Sequence, residues 1–138
     1  MRIIAVDPGE KHLGIALSDP TGTIATPLQV IKHASRLLDA AEIANLAQQH
    51  QAGMILIGQS MDEDGYATSQ SRRADRLADA IRQQSDLPIM MWDESFSTQE
   101  ARQARVEMGT TRRKRHGHMD DFAAAVILQS YLDSNTDY

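Results

Sequence analysis

The sequence predicts an α/β fold on a mixed five-stranded sheet. Three observations predict it. The first thirty-one residues hold three short, β-rich stretches divided by Gly/Pro turns. Two later runs, Met54–Gly58 and Ile89–Trp92, are continuously apolar, as strands covered on both faces are. Apolar residues at helical spacing fill the chain between and after those runs.

The elements follow in order. Arg2 to Val6 is an apolar strand ended by Asp7-Pro8-Gly9, strong turn chemistry. Leu13, Ile15 and Leu17 alternate at the period of a second strand, and the linker with Gly9 suits an antiparallel hairpin. Asp19-Pro20-Thr21-Gly22 is a second turn, and Thr23 to Ile31 completes a three-stranded meander. Ser35 caps a helix through Leu37, Leu38, Ala41 and Ala44, and Gly53 is expected to stop it. Ser69 to Gln84 places Ala74, Leu77, Ala78 and Ile81 on one helical face and ends before Pro88. Ser97 with Glu100 reads as a capping box opening a helix to about Met108. Residues 110–118 read as a basic loop, and Met119 to Leu132 as a last helix apolar almost all round. The order βββαβαβαα calls for antiparallel pairing among the first three strands and crossovers thereafter.

Composition bounds the class. A chain of 138 residues is expected to form one domain over 1–138, and its size needs no metal or disulfide for folding. Cysteine is absent, which excludes disulfides, thiolate metal sites and cysteine nucleophiles. No apolar run approaches the roughly 20 residues of a membrane helix, and Asp7 comes too early for a signal peptide. A soluble cytoplasmic protein with no membrane partner is the expectation.

Charge is unevenly spread. The whole chain carries 14 − 19 = −5, yet residues 101–118 hold Arg102, Arg105, Arg112, Arg113, Lys114 and Arg115 against Glu107, a balance of 6 − 1 = +5. The remainder therefore carries −10. An acidic body with one basic segment suits a nuclease, carboxylates gathering cations while the basic stretch meets phosphate.

The acids stand at element ends. Asp7 follows the first strand, Asp93 and Glu94 follow Trp92, and Asp120 and Asp121 open the final helix. In open α/β sheets, sites form outside the carboxyl ends of strands. If the strands of Asp7 and Glu94 are neighbours, these acids meet at one edge and the last helix adds a third. Gathered carboxylates repel, and hard divalent cations relieve that repulsion. Two such ions about 3.5–4 Å apart can activate water and stabilise the leaving oxygen of a phosphodiester. Singly, each acid has a plainer role: a turn residue at Asp7, a helix-dipole partner at Asp120 or Asp121. Periodicity does not choose between the last two, because both share faces with apolar residues.

Smaller features weigh less. His116 and His118 lack a third ligand for zinc, and Trp92 and Phe96 suit packing better than base stacking. An Asp-x-Gly hairpin also occurs in sugar kinases and actin-like ATPases, but this chain lacks their further phosphate loops and second domain.

Ile4-Ala-Val-Asp-Pro-Gly9, Gly14-Ile-Ala-Leu-Ser-Asp19, Ile57-Gly58 with Asp64-Gly65, Trp92-Asp-Glu94 with Ser97-Thr98, and Met119-Asp120 before Ala123-Ala124 and Ile127-Leu-Gln129 resemble the YqgF/RuvX family in order and spacing. That family is described as Holliday junction resolvases and as pre-16S rRNA nucleases. The resemblance implies an RNase H-like fold, hydrolysis of RNA phosphodiesters in 5′ maturation of 16S rRNA, and Mg²⁺ or Mn²⁺ as cofactor. It implies Asp7, Glu94 and Asp120 as catalytic acids and metal ligands, ranked above Asp121. Arg112, Arg113, Lys114 and Arg115 match its basic stretch, whose expected role is sequence-independent phosphate contact. Where the family continues Ile57-Gly58 with Leu-Pro, this chain has Gln59-Ser60. Two rival readings stand beside the rRNA nuclease. One is a junction resolvase acting on branched DNA, which needs a homodimer to put two sites in register. The other is a non-catalytic nucleic-acid-binding factor in ribosome assembly or transcription, monomer or homodimer.

Overall fold

The computed structural model describes residues 1–93 and 119–135, and side chains of 1–93 and 122–134. The expected capping box at Ser97, the helix to Met108 and the basic loop lie outside those residues. So do Glu94, Arg112, Arg113, Lys114, Arg115, His116 and His118.

Among the described residues, five strands and three helices form: β1 Arg2–Pro8, β2 His12–Ser18, β3 Ala25–Lys32, α1 Arg36–Gln49, β4 Ala52–Gln59, α2 Ser69–Arg82, β5 Ile89–Asp93 and α3 Met119–Asn135. They form one sheet in the order β3-β2-β1-β4-β5. β1–β2 and β2–β3 pair antiparallel, β1–β4 and β4–β5 parallel. The predicted mixed sheet, the meander and the crossovers are all present. Pro27, which has no N–H to give, lies on the edge strand β3 beside the register shift opposite Ile15 and Ala16.

Alternation along β1 divides the core. Ile4 and Val6 pack with Ile43 and Leu46 of α1 and Leu77 and Ile81 of α2. Ile3 and Ala5 pack on the opposite face with Ala124, Ile127 and Leu128 of α3. Ile4, Val6, Ile43, Ile55, Ile57 and Ile81 are fully buried, each contributing roughly 1.5–3 kcal/mol by leaving water. Two helices therefore cover one face and α3 the other. No described helix is long and apolar enough to cross a membrane.

Three local expectations change. β1 runs on through Asp7 and Pro8, so Asp7 lies within the strand rather than after it. Asp7 pairs with Gly14, and ladder hydrogen bonds override the turn preference of Asp-Pro. α1 ends at Gln49, capped at His50, with Gln51 in the left-handed region at φ 57°. Gly53 belongs to β4, at the register shift opposite Arg2 and Ile3, and does not stop the helix. At the start of α2, Thr68 and Ser71 exchange reciprocal side-chain bonds with each other's backbone N–H. Serine there does the work that the usual signature gives to Glu or Gln.

Candidate active site

The Asp7–Gly14 pairing decides what surrounds the first acid. Directly opposite residues of an antiparallel pair project to the same face, so no side chain crowds Asp7 from β2. On the other side, the parallel register ends at Val6 with Ile57, which brings Gly58 to the level of Asp7. Gly58 in turn pairs with Trp92 of β5. The carboxyl ends of the parallel strands thus present Asp7, half-buried, between two glycines. By the alternation that puts Ile3 and Ala5 under α3, Asp7 faces the same way.

The hairpin behind Asp7 is tight. Gly9 N–H donates to the His12 carbonyl at 3.0 Å. A Cβ at Gly9 would stand 2.4 Å from that oxygen, so only glycine lets the chain turn there without displacing backbone.

The direction of α3 follows from one glutamine and a burial gradient. Gln129 Oε1 accepts from Ala25 N–H at 3.0 Å, and its Nε2 donates to the Thr23 carbonyl at 2.9 Å. Ala25 pairs with Ser18, whose hydroxyl accepts from Ile3 N–H at 2.8 Å, so Gln129 is anchored near the level of Ile3. Residues Ala124–Leu128 are buried while Asp133 and Ser134 are exposed. The helix therefore runs antiparallel to β1, its N-terminus toward the end where Asp7 lies. Nine residues of helix span about 13.5 Å, and the four strand residues from Ile3 to Asp7 about 13 Å. The backbone of Asp120 accordingly arrives near the level of Asp7.

The expected adjacency of β1 and β5 does not hold. β4 lies between them, so their axes are about 10 Å apart. The hydrogen-bonding order of the crossovers inserts β4 next to β1, which a linear pattern does not reveal. Asp7 is the one expected metal ligand whose side chain is described, and among the described residues no group of three His, Cys, Asp or Glu could hold a metal ion. Asp93 ends β5, paired with Gln59. Trp92 packs edge-on against Tyr131, in line with the packing role expected of it.

The Gln59-Ser60 departure is braced by α2. Gln70 Oε1 accepts from Ser60 N–H at 2.6 Å, while its Nε2 donates to the Gly58 carbonyl at 3.2 Å. One side chain thereby continues the backbone bonding past the strand end. The loop beyond is closed by Asp62, whose Oδ1 accepts from Asp64 and Tyr66 N–H at 3.0 and 2.8 Å. Asp19, at the opposite rim, belongs to a turn: its carboxylate takes N–H donors from Thr23 at 2.7 Å and Ile24 at 2.9 Å. The bond from Ile24, then those from the Thr21 hydroxyl and Thr23, hold its carboxyl well below the usual range.

One group of residues escaped the sequence reading. Arg36, Arg72, Arg73 and Arg76 line a hollow of about 430 Å³ between α1 and α2. The signal was present as Arg72, Arg73 and Arg76 at helical spacing, masked by the interleaved Asp75 and Asp79.

The likenesses agree with this geometry. A family described as "RuvX: Holliday junction resolvase" matches residues 1–134. A protein of Thermoanaerobacter pseudethanolicus named "Putative pre-16S rRNA nuclease" is 36% identical over 135 residues, covering 97% of each chain. One of Desulforamulus reducens with the same name is 37% identical, covering 97% of this chain and 98% of the relative. Among solved structures, Thermus thermophilus RuvC in complex with a Holliday junction substrate superposes with TM-score 0.63 at 15% identity, over 99% of this chain and 96% of that one. The fowlpox virus resolvase in complex with junction DNA gives 0.60 at 14%, over 99% and 100%. At those identities the likeness carries the fold, and the expected RNase H-like architecture of RuvC is the one observed.

Proposed function

The chain belongs to the RuvX family, and from that premise we propose that it is a metal-dependent endonuclease that cleaves structured RNA in maturation of the 5′ end of pre-16S rRNA. Full-length relatives bearing the pre-16S rRNA nuclease name support the activity. The observation that carries the site is Asp7, half-buried between Gly14 and Gly58 at the level where α3 begins.

Asp7, Glu94 and Asp120 are the proposed metal ligands, with Mg²⁺ or Mn²⁺ as the cation. The donor set fits, since all three offer hard carboxylate oxygens and Asp7 has no neighbouring side chain from β2 or β4 to compete for space. Glu94 follows Trp92 by two positions, the spacing that keeps side chains on one face while a strand lasts. A divalent cation bound there supplies charge neutralisation at the scissile phosphate and makes water acidic enough to act as nucleophile. The chain itself does the positioning. Gly14 and Gly58 leave room for a phosphate beside Asp7, partial burial strengthens every charge interaction there, and Arg112, Arg113, Lys114 and Arg115 contact the flanking backbone. An RNA substrate of this kind places the work in the cytoplasm.

The family description favours a second reading, resolution of four-way DNA junctions by a homodimer. One assay separates them: wild type and Asp7→Asn with a precursor 16S RNA fragment and a DNA junction, in Mn²⁺, Mg²⁺ or chelator. The expected result is RNA cleavage by wild type alone, lost in chelator and reduced at least about a thousand-fold in Asp7→Asn. Junction cleavage without RNA cleavage selects the second reading. Undiminished cleavage by Asp7→Asn ends both and leaves the non-catalytic binding factor.

A further inference from the structure

On the face of the sheet opposite Asp7, we infer that the arginine-lined hollow between α1 and α2 is a second nucleic-acid contact, taking backbone phosphates of the strand being cut. The inference rests on the nuclease reading for its substrate, though its residues are separate from the acids and from Arg112–Arg115.

The four arginines converge by construction. At 100° per residue, Arg72, Arg73 and Arg76 fall within about 100° of one another on α2, together with Ser69 of its first turn. Arg36, the first residue of α1, faces them across the hollow. Arg73 is braced, its Nε donating to the Pro8 carbonyl at 3.4 Å. Arg36, Arg72 and Arg76 are exposed, and among the described residues none of them pairs with a carboxylate. The acid within the wall, Asp39, is 3% exposed and already used: one oxygen meets His33 Nδ1 and the other accepts from Ala34 N–H at 3.1 Å. Asp79, which lines the adjoining groove with Arg36 and Arg76, is bonded to Arg82 at 2.9 Å. Arg72 and Arg76 sit at i, i+4, where like charges repel along a helix, so this arrangement is costly until an anion arrives.

The ligand's chemistry follows from the lining. Planar guanidinium forks match phosphate oxygens bidentately. No Phe, Tyr or Trp lines the hollow, so nothing there stacks on a base, and the contact is with backbone rather than sequence. Position supplies the source of the phosphate. Pro8 and Gly9 form the lip, and Pro8 follows Asp7 directly on the other face of β1. A strand crossing the carboxyl end of the sheet therefore passes from the acid to the arginines within one residue step of β1.

The test is binding of a fluorescent RNA stem-loop and a DNA four-way junction, in chelator, across a salt series. Arg72→Glu/Arg76→Glu is expected to weaken binding of the nucleic acid that wild type cleaves at least about ten-fold. It should also flatten the slope of log K against log salt by about one to two. Arg72→Lys/Arg76→Lys should keep most of the affinity, which separates lost charge from lost fold. Unchanged affinity and slope in the Glu pair overturn the inference. So does a loss confined to ATP or pyrophosphate, titrated in parallel, which would make the hollow a small-anion site. The measurement needs no cleavage: wild type that binds RNA without cutting it fails the nuclease reading and leaves the arginine contact standing.

Discussion

The ring of Trp92 meets the ring of Tyr131 edge to face, centroids 5.2 Å apart at 87°. This contact joins the end of β5 to α3, the two elements nearest in sequence to Glu94 and Asp120. Edge-to-face pairs contribute about 0.5–1.5 kcal/mol beyond their buried area. Tyr131→Ala is expected to cost about 2 kcal/mol in urea unfolding. Trp92 is the only tryptophan, so its emission should shift to longer wavelength in the same variant. An unshifted emission maximum with unchanged stability would show that this contact does not hold β5 to α3.

Gly9 and Gly65 offer a matched comparison. Alanine at Gly9 forces its Cβ to 2.4 Å from the His12 carbonyl, two residues from Asp7. Gly65 has φ +84° but nothing within 4 Å of the added carbon. Gly9→Ala should cost about 1–3 kcal/mol and lower RNA cleavage, because backbone must move beside the acid. Gly65→Ala should cost about 1 kcal/mol from its left-handed φ alone and leave cleavage intact. Equal cleavage by the two variants would contradict the role given to the β1–β2 turn.

Asp19 makes stability depend on acid. Its folded carboxyl titrates below the ordinary 3.8 because Ile24 N–H, the Thr21 hydroxyl and Thr23 N–H all favour the charged form. A depressed carboxyl stabilises above its unfolded value, and that contribution fades as pH falls through the folded value. Wild type should therefore unfold at higher temperature than Asp19→Asn at pH 7, with the gap closing progressively below pH 3.8. A gap that persists unchanged in strong acid would show that the turn's stability does not come from the ionised carboxylate.

Strands and helices were legible because hydrophobic period is local. Ile4 and Val6 against Ile3 and Ala5, or Ala74, Leu77 and Ile81, reveal their elements without any partner in view. Element ends were less legible. α1 closes on a left-handed Gln51 where glycine was expected, and α2 opens with Thr68–Ser71, because several side chains satisfy the same orphan backbone groups. Asp7 was found as a candidate, yet its place inside β1 depends on Gly14 of another strand.

The amino-acid order alone determined the α/β class, the meander, the helices and the acids worth watching, since each is written in neighbours a few residues apart. Tertiary structure decided that β4 separates β1 from β5, that Asp7 faces α3 between two glycines, and that Arg36 meets Arg72 and Arg76. Those facts depend on which strands share hydrogen bonds and which faces they cover, and such pairings join residues too distant along the chain for any local pattern to record.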